Sequence, residues 1–234
     1  MKRDAGKEEG GRMKKKYLKD IVYDAIMEDI YAGVYKPGDI LNEGTLVAKY
    51  RCSKSPVREA LIALCENHVL RNIPRYGYEV TRLTMDDIRE MLEFRYCLEG
   101  GALLNRGNRI TDHQIDELEK LNQECLRDDV TPREHWMANL AFHVALIHAC
   151  GNDYIDQQVK SCMGRLTRAY AQFRWGVDKQ ELHMSCDCRH HKAILGALRE
   201  KNSAKAVKML KQDLGDFTFL IASSTLCVQK ILAY

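Results

Sequence analysis

Long apolar runs are missing from this chain. No stretch reaches the ~18 consecutive apolar residues that would span a bilayer, so no membrane partner is expected. A paired cysteine framework is also missing. The nine cysteines are an odd number, scattered at 52, 65, 97, 125, 150, 162, 186, 188 and 227, and the charged opening MKRDAGKEEGGRMKKK has no apolar segment behind it. Together these point to a reduced, cytoplasmic protein. Proline is scarce, four residues in 234, and with 45% hydrophobic and 29% charged residues the composition is that of one or two soluble globular domains able to bury a core without staples. A strong charge bias is absent too, the net being +3. Divided near residue 82, however, the first part holds sixteen Lys and Arg against twelve Asp and Glu, and the rest twenty against twenty-one. The excess is N-terminal, which directs attention to nucleic acid there.

Residues 1–16 form a basic tail of low hydrophobicity, expected to be disordered. Apolar positions Ile21, Val22, Ala25, Ile26, Ile30 and Tyr31 then follow helical spacing up to Gly33 and the turn Lys36-Pro37-Gly38. A short helix over Glu43–Tyr50 follows, then Arg51-Cys52-Ser53, then a helix opening with SKSPVREAL, in which Ser55 is the expected N-cap and Pro56 the first helical residue. Val57, Leu61, Leu64 and Cys65 share one face, leaving Lys54, Ser55 and Arg58 at the exposed N-terminal end. Such an end can enter a DNA major groove, where its donors meet phosphates and base edges. The runs LRNI and YEVTR around Pro74-Arg75-Tyr76-Gly77 predict a hairpin with a basic tip. The plainer alternative is a helical hairpin with ordinary surface charges.

From about Tyr17 to Arg82 the chain resembles the winged helix-turn-helix of the GntR family of bacterial regulators, through Pro37-Gly38, the short helix Glu43–Tyr50, Ser53–Leu61 and Gly77–Val80. The resemblance implies DNA contacts by Ser53, Lys54, Ser55 and Arg58, with Arg75 and Gly77 of the wing reaching the backbone or minor groove. Two positions depart from the family pattern. An arginine common on the short helix falls at Gly44, and the turn glycine is replaced by Arg51, at about 1 kcal/mol if that residue is left-handed.

After Thr84 strand signals disappear. Thr84 with Asp87 starts a helix to about Arg106, Thr111 another to about Arg127, and Thr131-Pro132 with Glu134 is a capping box opening a helix to Gly151-Asn152. Further helices are expected at about 153–175, 181–200 and 203–221. The fold class is therefore mainly α: a winged helix-turn-helix over 17–82, an all-α bundle over 83–222, and an extension over 223–234. On the first bundle helix Arg95 and Glu99 lie on the apolar stripe of Ile88, Leu92 and Leu103, either as a structural ion pair or with the arginine as a ligand clamp. Asn139 and His143 stack on one helix face, and His191 and Asp213 sit on the apolar stripes of two others. These groups are either hydrogen-bonded core residues or a metal site.

The segments EFRYCLEG, AFHVALIHACGN and HHKAILGAL resemble the FCD domain, the effector-binding half of FadR-like GntR proteins, over about residues 85–222. The resemblance implies a divalent metal, zinc, nickel or manganese, at Asn139, His143, His191 and Asp213, although two of these positions differ in residue type from the family's Asp and three His. One carboxylate is kept in the set, so a divalent ion would leave a net positive charge that attracts a carboxylate effector, with Arg95 as a second clamp. A competing local site, His183, Cys186, Cys188, His190 and His191, is disfavoured because residues two apart on a helix point to different faces. The reading is a transcription regulator, in the repressor sense, and not an enzyme: a homodimer on a palindromic double-stranded operator, answering to a small carboxylate. A metal sensor without organic effector and a metal-dependent enzyme are the alternatives.

Overall fold

The computed structural model describes residues 17–174 and 188–216. They belong to two compact units, one comprising residues up to 30 with 34–81, the other 31–33 with residues from 82 onward. The basic tail 1–16 and the extension 223–234 lie outside the described residues. Among the described residues no helix is long and apolar enough to cross a membrane.

In the first unit, α1 (Leu18–Tyr31) buries Val22, Ile26 and Ile30, which recur every four residues on one face. Ile21, part of the same apolar pattern, is exposed. A two-residue strand β1 (Ile40–Leu41) precedes α2 (Glu43–Tyr50) and α3 (Lys54–Glu66). The hairpin follows as β2 (Leu70–Ile73) and β3 (Gly77–Val80). All pairings are antiparallel, with β3 central, Leu41 on one side and Asn72 on the other facing Tyr78. The sequence reading missed β1, because two residues carry no alternation to detect. Leu41, Leu46, Val57, Leu61, Leu64, Leu70 and Val80 close the core beneath the sheet and three helices.

One local expectation is corrected. Helix α3 begins at Lys54, so its N-cap is Ser53, which makes no side-chain cap bond, and Pro56 is the third helical residue. The proline loses nothing there, because the first four N–H groups of a helix lack intrahelical partners in any case. Ser55 instead bonds Glu59, Oγ to Oε1 3.0 Å. Between α2 and α3, Arg51 adopts the left-handed conformation, φ 51° and ψ 46°, and its N–H caps the Val47 carbonyl.

In the second unit, α4 (Met85–Arg106), α5 (Asp112–Cys125) and α6 (Pro132–Ala149) each open with a complete capping box, Thr84 with Asp87, Thr111 with Gln114 and Thr131 with Glu134. Helix α7 (Asp153–Arg174) and α8 (His191–Arg199) follow, then α9 over 203–216. Helix α5 packs on α6 and α8, and α7 on α4 and α6. The start of α4 is tied to α7 by Gln172, which accepts from the Leu83 N–H at 3.1 Å and donates to the Leu83 carbonyl at 2.8 Å. Helix α8 starts later than the expected 181, since residues 188–190 form a bend and turn and 181–187 lie outside the described residues. Tertiary partners hold that turn: Cys188 Sγ lies 3.6 Å from the Cys125 carbonyl, and Arg189 and His190 reach Asp216 at 3.2 and 3.3 Å.

Two backbone positions in the first unit predict stability changes of opposite sign. Gly77 has φ +131°, and a Cβ there would stand 2.5 Å from the Leu41 carbonyl oxygen. Gly77→Ala should destabilise the unit by about 1–3 kcal/mol, through strain and loss of the β1–β3 approach. Arg51→Gly should stabilise it by up to about 1 kcal/mol by relieving the left-handed backbone. Urea midpoints of the two variants moving in the same direction would contradict this account.

Candidate metal centre and nucleic-acid interface

Helices α4, α6, α8 and α9 bring together a buried chain of charged and polar groups. It starts at Arg95 on α4, whose Nε donates to Glu99 Oε1 at 2.6 Å, both side chains fully enclosed. The other Glu99 oxygen, Oε2, lies 2.9 Å from His143 Nδ1 on α6. His143 Nε2 in turn lies 3.1 Å from Asp213 Oδ2 on α9. His191 on α8 completes the group, with Nε2 3.7 Å from Asp213 Oδ1 and its ring edge-on to His143 at 5.2 Å. Every member is buried.

The hydrogen bonds fix which nitrogen of each imidazole faces inward. Glu99 is an acceptor, so His143 carries a proton on Nδ1 and turns Nε2 toward Asp213. Asn122 Oδ1 on α5, 3.2 Å from His191 Nδ1, does the same for His191. Its Nε2 makes no hydrogen bond. Phe142 stacks on the His191 ring at 3.8 Å and holds its plane. Both Nε2 atoms thus converge on one carboxylate, and the three ligand atoms of His143, His191 and Asp213 lie within 4.8 Å of one another.

Electrostatics agrees with a site built for positive charge. Burial pushes the Glu99 carboxyl up, but Arg95 and His143 outweigh it and bring it down to about 2. Burial and Arg95 push His143 down, yet Glu99 and Asp213 on its two nitrogens leave it raised. Burial, then His143 and Arg95, hold His191 well below the ordinary range, so it is neutral and able to ligate. Between His143 Nε2 and Asp213 Oδ2, two acceptors 3.1 Å apart, a positive species must lie, either a proton or a metal ion. Imidazoles oriented through their outer nitrogens by a carboxylate and an amide match the arrangement of metal-ligating histidines. The residues therefore fit a divalent metal.

The sequence-derived set is largely gathered here. His143, His191 and Asp213 come together, and Asn139 is buried one turn before His143 on the same face of α6. Arg95 is engaged by Glu99 through Nε, as in the ion-pair alternative, and its buried Nη2 makes no hydrogen bond. Sequence reasoning missed the Glu99–His143 contact and Asn122. The signal for Asn122 was available, since it stands in register with Ile115, Leu118 and Cys125 on the buried face of α5. In the competing local cluster, Cys188, His190 and His191 each face different partners, and His183 and Cys186 lie outside the described residues.

In the first unit the buried face of α3 is Val57, Ala60, Leu61 and Leu64. Ser53, Lys54, Ser55 and Arg58 are exposed at its start, as is Arg75 at the hairpin tip. Gly77 is half-buried, and its glycine identity is already required by the Leu41 carbonyl. Arg58 is held by Glu43 of α2, Nε to Oε1 2.9 Å and Nη2 to Oε2 2.8 Å.

Comparison with known proteins places both units. Residues 18–80 match the gntR family of bacterial regulatory proteins and residues 90–216 match the FCD domain. Over 74% of this chain and 90% of its own length, the uncharacterized HTH-type transcriptional regulator YdhC of Bacillus subtilis (strain 168) is 29% identical. The gluconate operon transcriptional repressor of the same organism is 26% identical over 84% of this chain and 81% of its own. The HTH-type transcriptional repressor GlaR of Escherichia coli (strain K12) is 23% identical over 82% and 90%. A solved GntR regulator from Rhodococcus sp. RHA1 superposes with a TM-score of 0.70 at 23% identity, covering 88% of this chain and 97% of its own. These relatives are transcription regulators, which sets aside the metal-dependent enzyme weighed from the sequence. With a GntR helix-turn-helix followed by an FCD domain over more than half its length, the chain belongs to the FCD-containing GntR family of DNA-binding transcription regulators.

Proposed function

We propose that this regulator is a repressor that binds a palindromic operator as a homodimer, and that its hold on DNA changes when a small carboxylate enters the helical unit beside a divalent metal. His143, His191 and Asp213 would hold the ion, with Asn139 as a further donor. The observation that carries this reading is the pair of inward Nε2 atoms facing one carboxylate, each fixed by an outer acceptor, Glu99 or Asn122. When bound, the metal would supply a Lewis-acid centre able to take an effector carboxylate. Arg95 keeps Glu99 ionised, and its buried Nη2 is a donor that makes no hydrogen bond. Two relatives are named repressors, and one is named for the gluconate operon, a carboxylate theme that supports the class of effector.

A metal sensor without organic effector is the second reading. It is favoured by the engagement of Arg95, whose Nε is already taken by Glu99. Titrating carboxylates into metal-loaded protein separates the two, since only the first reading has DNA affinity respond to them at fixed metal.

For the metal, protein purified without chelator should carry about one divalent ion per chain, and zinc, nickel or manganese should raise the melting temperature of stripped protein. His143→Ala and His191→Ala should abolish both effects and still bind DNA. Absence of stoichiometric metal together with no thermal gain would leave a proton in the place between His143 and Asp213.

For DNA, Arg58→Ala should weaken binding to a selected duplex by about 1–3 kcal/mol with helix content unchanged. Lys54→Ala should weaken selected and scrambled duplexes alike and lower the salt slope by roughly one. Unaltered affinity in both variants contradicts this assignment of α3.

The dimer is expected because one small module makes few base contacts, and two half-sites about one helical turn apart supply the remaining affinity. Sedimentation with and without DNA should show two chains; monomer alone at micromolar concentration speaks against it.

A further inference from the structure

Arg58 is exposed over 60% of its side chain and Glu43 over 24%, yet the two form a two-pronged ion pair across α2 and α3 at 2.9 and 2.8 Å. Tyr78 of β3 reaches the same carboxylate, its hydroxyl 3.5 Å from Glu43 Oε1. Arg58 thus joins Glu43 and Tyr78 in a tripod spanning the short helix, the candidate recognition helix and the central hairpin strand. A carboxylate on the face that meets DNA is unfavourable for phosphate contact, so its placement calls for another role.

The side of the guanidinium that Glu43 takes is Nε and Nη2. A guanidinium has five N–H donors in a fixed plane, so this leaves Nη1 and the outer Nη2–H as an intact second fork. That fork matches the two acceptors, O6 and N7, that guanine shows in the major groove. The stem of an unbuttressed arginine has several rotatable bonds, whose freedom is lost on binding. The carboxylate removes much of that freedom beforehand. The Glu43 carboxyl is held below the ordinary carboxylate range, chiefly by the Arg58 hydrogen bonds, with Lys54 contributing, so it stays ionised beside the guanidinium.

We propose that Glu43 is a positioning residue for sequence reading: it holds Arg58 by its Nε edge so that the Nη1–Nη2 edge is presented to a guanine, with Tyr78 steadying the carboxylate from the hairpin. This rests on the reading of Arg58 as a base contact. It separates Glu43 from the charge accounting of the surface, because the two accounts predict opposite changes. Loss of a negative charge alone should tighten binding to any DNA. Loss of the buttress should weaken binding to the selected sequence only.

The test uses the full chain and two probes, a duplex selected by the wild-type protein from a random-sequence pool and a scrambled duplex of the same length. Glu43→Ala should lower affinity for the selected duplex roughly tenfold, the scale of one base-reading pair, with affinity for the scrambled duplex unchanged or raised. Glu43→Gln, which keeps an acceptor for the Arg58 Nε–H, should recover part of the discrimination, and Tyr78→Phe should lose a smaller part. In an Arg58→Ala background, Glu43→Ala should leave the ratio of the two affinities unchanged. Equal tightening on both duplexes, or an undiminished Glu43 effect without Arg58, overturns the inference while the DNA-binding reading stands. If Arg58→Ala itself leaves discrimination intact, the base-contact reading and this inference fall together. Melting temperatures within the wild-type range for each variant show that the readout is recognition and not folding.

Discussion

The second unit depends on the placement of Glu99. A carboxylate taken fully out of water is destabilising by several kcal/mol unless it is paired and hydrogen-bonded. Glu99 has Arg95 on one oxygen and His143 on the other. Arg95 lies one turn before it on α4, so that pairing is local. His143 belongs to α6, so the second pairing specifies how α6 rotates against α4. Through His143 the constraint passes to Asp213 on α9. Three helices that could slide as smooth apolar stripes are thereby given a fixed register by one row of polar atoms, and the surrounding apolar core, including Phe142, Leu146 and Leu103, packs around it.

Much of this was legible in the chain, for reasons that differ by level. The helix starts at Thr84, Thr111 and Thr131 could be read directly, because a capping box is a local chemical signal that tertiary structure completes without altering. The inward positions of His143, His191 and Asp213 followed from helical period, since α6, α8 and α9 have apolar stripes in which a polar residue stands out. What sequence could not supply was partnership between helices. Glu99 was visible as the neighbour of Arg95, but its second oxygen is used across the bundle, a contact 44 residues away in sequence. The start of α3 was misplaced by two residues, because Ser53 and Ser55 are equally good caps by type and the sequence does not distinguish them.

The same chemical device recurs in the two units. Glu99 takes the outer nitrogen of His143 and so determines what its inner nitrogen faces. Glu43 takes one edge of Arg58 and so determines what the other edge faces. In each case a carboxylate orients a side chain it does not replace. The energetic setting differs: the buried pair interacts strongly in a low effective dielectric, largely offsetting the desolvation of both charges, whereas an exposed pair of this kind contributes within ~1 kcal/mol to stability. The exposed pair therefore makes more sense as an orienting contact than as a stabilising one.

If the proposed metal binds, charge within the buried network would favour an acid as the effector. Arg95 balances Glu99, and with His191 neutral the remaining pair is His143 with Asp213. A proton between these two leaves the network neutral. A divalent ion in that place would displace the proton and leave a net positive charge in a region closed to water. Such a charge is costly when buried alone. An anionic ligand entering beside it would cancel the excess, while a neutral ligand could not. A preference for a carboxylate would thus arise less from shape than from the charge the proposed site would lack once its metal is in place, since Asp213 is the one carboxylate among His143, His191 and Asp213.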